Sequence, residues 1–290
     1  MSAIAESELI LNTDGSVYHL HLQPEELAPV IIVVGDPGRV PEISKYFDQI
    51  ELKRQNREIV THTGRVGQKR LTVMSTGMGT DNLDIVMNEL DALVNIDLKK
   101  RMAFPEHKSL KIIRLGTSGA LQADIKVDSF VMSTHGIGMD GLLYFYAGNQ
   151  AVNEPLLAEA FVKHVSWNNK LPGIYAVKAS ESFMAEMGNG FIKGITLTAP
   201  GFYAPQGRVL RLPLAFPQMN KLIETFKHQE SRIANFEMET SALYGLGRML
   251  GHETLTICAI VANRVSQTYS HDAHKAVDKL VQTVLAKLAG

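Results

Sequence analysis

Short apolar runs alternate with helical repeats along this chain. Pro29-Val30-Ile31-Ile32-Val33-Val34 is apolar at every position, which predicts a strand buried on both faces and closed by Gly35-Asp36-Pro37-Gly38. Leu71-Thr72-Val73-Met74-Ser75 predicts a second strand, closed by Thr76-Gly77-Met78-Gly79, and Lys111-Ile112-Ile113-Arg114-Leu115 a third, closed by Gly116-Thr117-Ser118-Gly119. Thr254 to Val261 predicts a fourth. Between them the period changes. Leu83, Val86, Met87, Leu90 and Val94 recur at helical spacing after Thr80-Asp81, and Leu243, Leu246 and Leu250 do so after Glu237-Met238-Glu239. Val277, Leu280, Val281, Val284, Leu285 and Leu288 form one apolar face of a C-terminal helix. Strand, glycine turn and helix in repetition predict an α/β sheet covered by helices. No internal repeat and no long Pro/Gly/Ser linker interrupts the pattern, so residues 1–290 read as a single domain.

Composition narrows the function classes. The 290 residues carry 29 Lys plus Arg against 30 Asp plus Glu, a net charge of −1, which argues against a general nucleic-acid binder. With 45% hydrophobic and 20% charged residues the chain is not a disordered one. Cys258 is the lone cysteine, so an intrachain disulfide and a multi-cysteine metal site are excluded, and a reducing, cytoplasmic compartment is expected. The first residues have no basic start and carry Glu6 and Glu8, unlike a signal peptide. No apolar run approaches the roughly 20 residues of a membrane helix, so no membrane partner is expected.

Candidate chemistry collects at the predicted strand ends, where open α/β sheets bind ligands. Arg114 lies inside a run that otherwise reads as buried strand. A buried guanidinium has to meet a carboxylate or an anionic ligand, and both readings stay open. The glycines and hydroxyls that follow it, Gly116-Thr117-Ser118-Gly119, would suit a phosphate. Arg39 follows the first strand in the same manner, after Gly35-Asp36-Pro37-Gly38. Glu237-Met238-Glu239 reads either as acidic residues at a helix start or as an acceptor for sugar hydroxyls beside an apolar methionine. In Phe202-Tyr203-Ala204-Pro205-Gln206-Gly207-Arg208, Phe202 offers a stacking surface, Gln206 a donor and an acceptor for a lactam edge, and Arg208 a cation. His271-Asp272-Ala273-His274 reads as the start of the last helix, not as a metal pair, and Lys99-Lys100-Arg101 as a solvated connector.

Taken in order, Gly35-Asp36-Pro37-Gly38-Arg39, Arg114-Leu115-Gly116-Thr117-Ser118-Gly119, Asn235-Phe236-Glu237-Met238-Glu239 and Asn263-Arg264 resemble the successive motifs of the nucleoside phosphorylase family. The Phe202, Gln206, Arg208 spacing is similar to the pyrimidine-recognition loop of uridine phosphorylases. The resemblance implies a three-layer α/β/α sandwich with a central mixed sheet. It implies phosphate binding by Gly35, Arg39, Arg57, Arg114 and Thr117, with Arg57 lent by a neighbouring subunit. It implies ribose binding by Thr117, Met238, Glu239 and a partner-supplied His19. Ser118, Gly119, Phe202, Gln206, Arg208 and Arg264 would bind the base, and Arg114, Gln206, Arg208 and Glu239 would carry catalysis. The expected reaction joins uridine and inorganic phosphate to give uracil and ribose 1-phosphate, with no cofactor required. The expected assembly is a homo-oligomer with shared sites: a dimer, or a trimer of dimers making a homohexamer. Family members with K+ at the dimer interface imply a site at Glu58, the Met78 carbonyl and Asn82, where Asn82 replaces a serine. The connector from Asp97 to Leu110 looks longer than in compact relatives, and Thr117-Ser118 replaces a usual pair of threonines. Purine-specific relatives carry a Ser-Asp pair where Asn263-Arg264 stands. The alternatives are a purine or broad-specificity phosphorylase, a nucleosidase using water, and a non-catalytic nucleoside-binding module.

Overall fold

The computed structural model describes residues 3–289. Among these, fourteen strands and seven α-helices follow one another along the chain. The first part contains β1 (Val30–Val34), α1 (Arg39–Ser44), β2 (Gln49–Asn56), β3 (Ile59–Val66), β4 (Lys69–Ser75), α2 (Thr80–Asn95), β5 (Ile96–Asp97) and β6 (Met102–Ala103). The middle contains β7 (Lys111–Ala120), β8 (Phe130–Gly138), α3 (Pro155–His164), β9 (Tyr175–Lys178), α4 (Glu181–Met187) and β10 (Ile192–Thr198). The last part contains α5 (Met219–Thr225), β11 (Lys227–His228), β12 (Ser231–Glu237), α6 (Thr240–Met249), β13 (Glu253–Asn263), β14 (Thr268–Tyr269) and α7 (Ala273–Ala289).

All strands except β5 and β6 join one mixed sheet, in the order β11-β12-β10-β8-β13-β7-β1-β4-β3-β2 with β9 on β8 and β14 on β13. β1 lies between β4 and β7 and is parallel to both, which is why every position from Ile31 to Val34 is apolar and buried. β12 also pairs antiparallel with β7, at Asn235 with Ala120 and Phe236 with Gly119. That extra pairing closes β7, β13, β8, β10 and β12 into a ring. Buried hydroxyls and an amide cross four of its strands in a line. Ser133 and Thr196 share a hydrogen bond (2.5 Å), Thr196 donates to Asn235 (2.7 Å), and Asn235 donates to Ser118 (2.7 Å). A buried polar group without a partner would cost about 1–3 kcal/mol, so each link depends on the next.

Helices flank the sheet. α7 packs on β7 and β13 beside α1 and α4, while α2 and α6 pack against each other. The apolar face expected of the last helix is the one it buries, through Val277, Leu280, Val281, Val284, Leu285 and Leu288. Burying each such side chain contributes about 1.5–3 kcal/mol before entropy is counted. His271 and Asp272 do lead into that helix. Lys99 and Lys100 are exposed, as a solvated connector would be, while Arg101 is half-buried and its carbonyl accepts the Ile4 N–H at 2.7 Å; the stretch around them carries the β5–β6 pair.

The third strand departs from its expected length. It does not end at Leu115 but continues to Ala120, because β13 pairs with it in parallel from Lys111 onward. The Gly-Thr-Ser-Gly motif is therefore strand, not turn. Gly116 is glycine for a local reason: a Cβ there would lie 1.8 Å from Nη1 of Arg114 and 2.9 Å from Sγ of Cys258. The arginine folds back over the empty position two residues along its own strand. Among the described residues, no helix is long and apolar enough to cross a membrane.

Candidate active site

β1 accompanies β7 only as far as Arg114, and β12 joins the same edge of β7 only at Gly119. Among the described residues, no strand pairs with that edge from 115 to 118. A cavity of about 620 Å³ opens there, at the carboxyl end of β1. Gly35, Arg39, Arg114, Thr117, Ser118 and Gly119 line it, as do Phe202, Gln206, Arg208, Met238 and Glu239. The structure thus gathers these eleven residues, predicted to bind substrate, from widely spaced segments. It adds Asp36, Pro37, Gly77, Phe236, Glu237, Val261, Ala262 and Tyr269, to which the sequence assigned no site role. Of these, Asp36, Pro37, Phe236 and Glu237 carried a signal, through their places in the Gly-Asp-Pro-Gly-Arg and Asn-Phe-Glu-Met-Glu motifs.

The two arginines differ in their partners. Arg114 is 5% exposed. Its Nη1 lies 3.3 Å from Glu237, and its Nη2 pairs with the Glu239 carboxylate. The open question about its partner is answered on the carboxylate side: in this structure it belongs to a buried Arg–Glu–Glu triad and is not a free cation. Burial works against its charge, but Glu239 and Glu237 overturn that and hold its pKa above the ordinary value. Arg39 is the first residue of α1, after a turn in which Asp36 accepts the Gly38 N–H at 2.8 Å. It donates to the Leu115 carbonyl at 3.4 Å, and among the described residues no carboxylate oxygen lies within 4.0 Å of it. Burial, then the charge of Arg114, push its pKa down.

Both readings of Glu237-Met238-Glu239 have a counterpart. Glu237 accepts the N–H groups of Glu239 and Thr240, each at 3.0 Å, and so caps α6. It also accepts the Thr198 hydroxyl at 2.8 Å. Burial pushes its carboxyl pKa up, opposed by Arg114. Glu239 faces the cavity and accepts the Gly79 N–H at 2.8 Å with its other oxygen.

The three base-loop residues contact one another. The Arg208 guanidinium stacks 3.7 Å from the Phe202 ring centre and donates to Oε1 of Gln206 at 2.7 Å. Phe202 is 50% exposed, but Arg208 covers one of its faces. Gln206 is 3% exposed, and the contact with Arg208 orients its amide. Burial and the charge of Arg264 bring Arg208 down to about 10, still cationic at neutral pH. Arg264 does not line the cavity. It stands behind the loop and donates to the Gln206 carbonyl at 3.1 Å, beside Asn220 at 3.2 Å.

His19 and Arg57 also lie outside the cavity of their own chain. Arg57 sits at the β2–β3 turn, its guanidinium 5.4 Å from the Tyr18 ring centre. His19 pairs with Glu89 of α2 at 2.6 Å, and the Asn56 amide donates to the His19 carbonyl at 2.9 Å. Glu58 and Met78 line the cavity and adjoin Asn82 around Gly77. The Asn82 amide nitrogen donates to the Met78 carbonyl at 3.2 Å. Asp91, His107 and His252 also come together, with ligand atoms within 4.8 Å. There the Leu110 N–H donates to Nδ1 of His252 at 3.2 Å, which leaves Nε2 of the neutral ring protonated and without a lone pair for a metal.

A family model described as the phosphorylase superfamily matches residues 29–290. The chain belongs to that superfamily. It is 28% identical to a uridine phosphorylase of Thermococcus kodakarensis over 268 residues, covering 90% of this chain and 83% of the relative. It is 25% identical over 243 residues to a DeoD-type purine nucleoside phosphorylase of Oceanobacillus iheyensis, covering 83% and 85%. Among solved structures, a Trypanosoma brucei nucleoside phosphorylase described as showing uridine phosphorylase activity superposes with a TM-score of 0.83 at 30% identity, covering 97% of this chain and 99% of that one. The fold and the nucleoside phosphorylase class follow from the superfamily match and this superposition. The chain is thus of a pentosyltransferase class whose substrates are a nucleoside and phosphate.

Proposed function

We propose that this phosphorylase cleaves uridine with inorganic phosphate to give uracil and ribose 1-phosphate. The observation that carries this reading is that one cavity holds Phe202, Gln206 and Arg208 together with Arg39, Arg114, Thr117 and Glu239. The first group suits a pyrimidine, the second a phosphate and a sugar.

In the proposed reaction the bond between C1′ and N1 breaks with its electron pair going to the base, a phosphate oxygen bonds to C1′, and the proton that the hydrogen phosphate gives up completes the released uracil. No protein nucleophile is needed. The sugar gains cationic character, which a phosphate dianion beneath it stabilises. At an effective dielectric near 20, each Arg–phosphate pair about 4 Å apart contributes about 4 kcal/mol before desolvation. Arg39, with no ion pair of its own among the described residues, is the cation best placed to give that contribution. Gln206 has its Oε1 held by Arg208, so its NH2 group is available to donate where charge develops on the leaving base. Such a preorganised donor contributes about 3 kcal/mol. The purine reading has less support. The Asn263 amide is taken up by the Gln122 and Ile125 carbonyls at 2.8 and 2.7 Å, and Arg264 braces the loop, so this segment offers no carboxyl to a purine.

His19 and Arg57 enter this proposal through a second copy of the chain, brought to the neighbouring cavity in a homodimer or a trimer of dimers. Their position outside their own cavity supports that arrangement. The test is a panel of uridine, thymidine and inosine with and without phosphate, read by base release. Uridine cleavage that depends on phosphate is expected. Release without phosphate, or inosine cleavage exceeding that of uridine, would refute the assignment.

A further inference from the structure

We infer that phosphate and nucleoside bind cooperatively through an exchange of partners at Arg114: the anion draws the guanidinium off Glu239, and the freed carboxylate then accepts the sugar hydroxyl. This deepens the phosphorylase reading and rests on it.

Four observations carry the inference. Arg114 and Glu239 both line the cavity, yet each is the other's partner. A carboxylate oxygen engaged by a guanidinium is a poor acceptor for a sugar, and a neutralised guanidinium is a poor anchor for phosphate. Arg114 is also under-satisfied, because its buried Nε has no hydrogen-bond acceptor among the described residues. A buried donor left unmade is costly, so an oxygen supplied there would be favourable. Arg39, which shares the cavity, has no carboxylate partner among the described residues either. An anion between the two arginines would serve both.

The two glutamates are held differently, and that decides which one yields. Glu237 is fixed by the Thr198 hydroxyl and by the N–H groups of Glu239 and Thr240. Among the described residues, Glu239 has only the Gly79 N–H besides Arg114. Arg114 therefore keeps its Nη1 contact with Glu237 as a pivot, while its contact with Glu239 is exchanged. Glu239 keeps Gly79 as its own anchor and turns its other oxygen to the ribose.

The exchange is a linkage, so it acts in both directions: each ligand raises the affinity of the other by the same factor. The test uses sulfate, an unreactive tetrahedral dianion, and uridine, with binding measured by calorimetry on the full-length wild-type protein. Saturating sulfate should tighten uridine binding by about tenfold, within the usual range of such couplings. Glu239→Gln keeps an oxygen for the sugar hydroxyl but forms no ion pair with Arg114. In that variant sulfate alone should bind more tightly and the coupling should fall toward one. In the wild type, the Arg114 Nε–H resonance should shift on sulfate addition, which reads the same exchange without any variant. If both ligands bind and the coupling is absent, or if it survives undiminished in Glu239→Gln, the exchange is overturned. If neither ligand binds, the phosphorylase reading itself fails.

Discussion

Arg114→Ala tests the triad most directly, because it leaves two buried carboxylates facing the gap where their cation stood. Breaking a buried ion pair from one side costs about 3–5 kcal/mol, chiefly because the remaining charge stays uncompensated. Here Glu237 keeps its hydrogen bonds from Thr198, Glu239 and Thr240, so the lower end of that range is expected near pH 7.5. The loss should depend on pH with a definite sign. In the wild type, burial already raises the Glu237 carboxyl above its ordinary value of 4.5, against the pull of Arg114. Removing that pull raises it further. The folded variant then holds a proton that the unfolded chain releases, so its stability is greatest below about 4.5 and falls as pH rises through the folded-state value. One proton held in this way changes stability by at most about 1.4 kcal/mol per pH unit. Between pH 7.5 and 5.5 the variant should therefore regain stability relative to wild type. Urea unfolding of both proteins at the two pH values measures the gap, and a phosphorolysis assay run alongside should show activity lost at both. A gap below about 1 kcal/mol, or one that does not narrow at the lower pH, would refute the account of Arg114 as the cation of a buried triad.

Gly116→Ala should disturb the same triad from the opposite side, since its Cβ would stand 1.8 Å from Nη1 of Arg114; a marked rise in KM for phosphate is expected, and unchanged kinetics would contradict the fold-back geometry. Gln206→Ala should lower uridine turnover about a hundredfold through the loss of one oriented donor, with phosphate KM little changed. Arg264→Ala should free the base loop from behind, raising uridine KM more than it lowers kcat, which steady-state kinetics will show. Gly207→Ala should have a related effect, because φ of +70° and Asn220 at 2.3 Å leave no room for a Cβ.

The parts of the fold that showed in the sequence were those whose partners are apolar. β1 is visible because both of its neighbours bury it, and α7 because a single face meets the sheet. β8, β10 and β12 are hidden for the opposite reason. Ser133, Thr196 and Asn235 break their apolar runs, and only the cross-strand bonds among them make those residues tolerable inside. Arg114 showed itself as a buried cation, but its choice between carboxylate and anion could not be read, because the Glu239 it meets lies 125 residues further on. His19 and Arg57 carry no pattern that separates them from ordinary surface residues, and only the family motif singles them out.

The line from Ser133 through Thr196 and Asn235 to Ser118 also constrains how this protein can drift. Every member gives or receives for its neighbour, so altering one strands the next. Related chains are therefore expected to vary at these four positions in concert or not at all, and the wall of the pocket that Ser118 provides inherits that restraint from a residue two strands away.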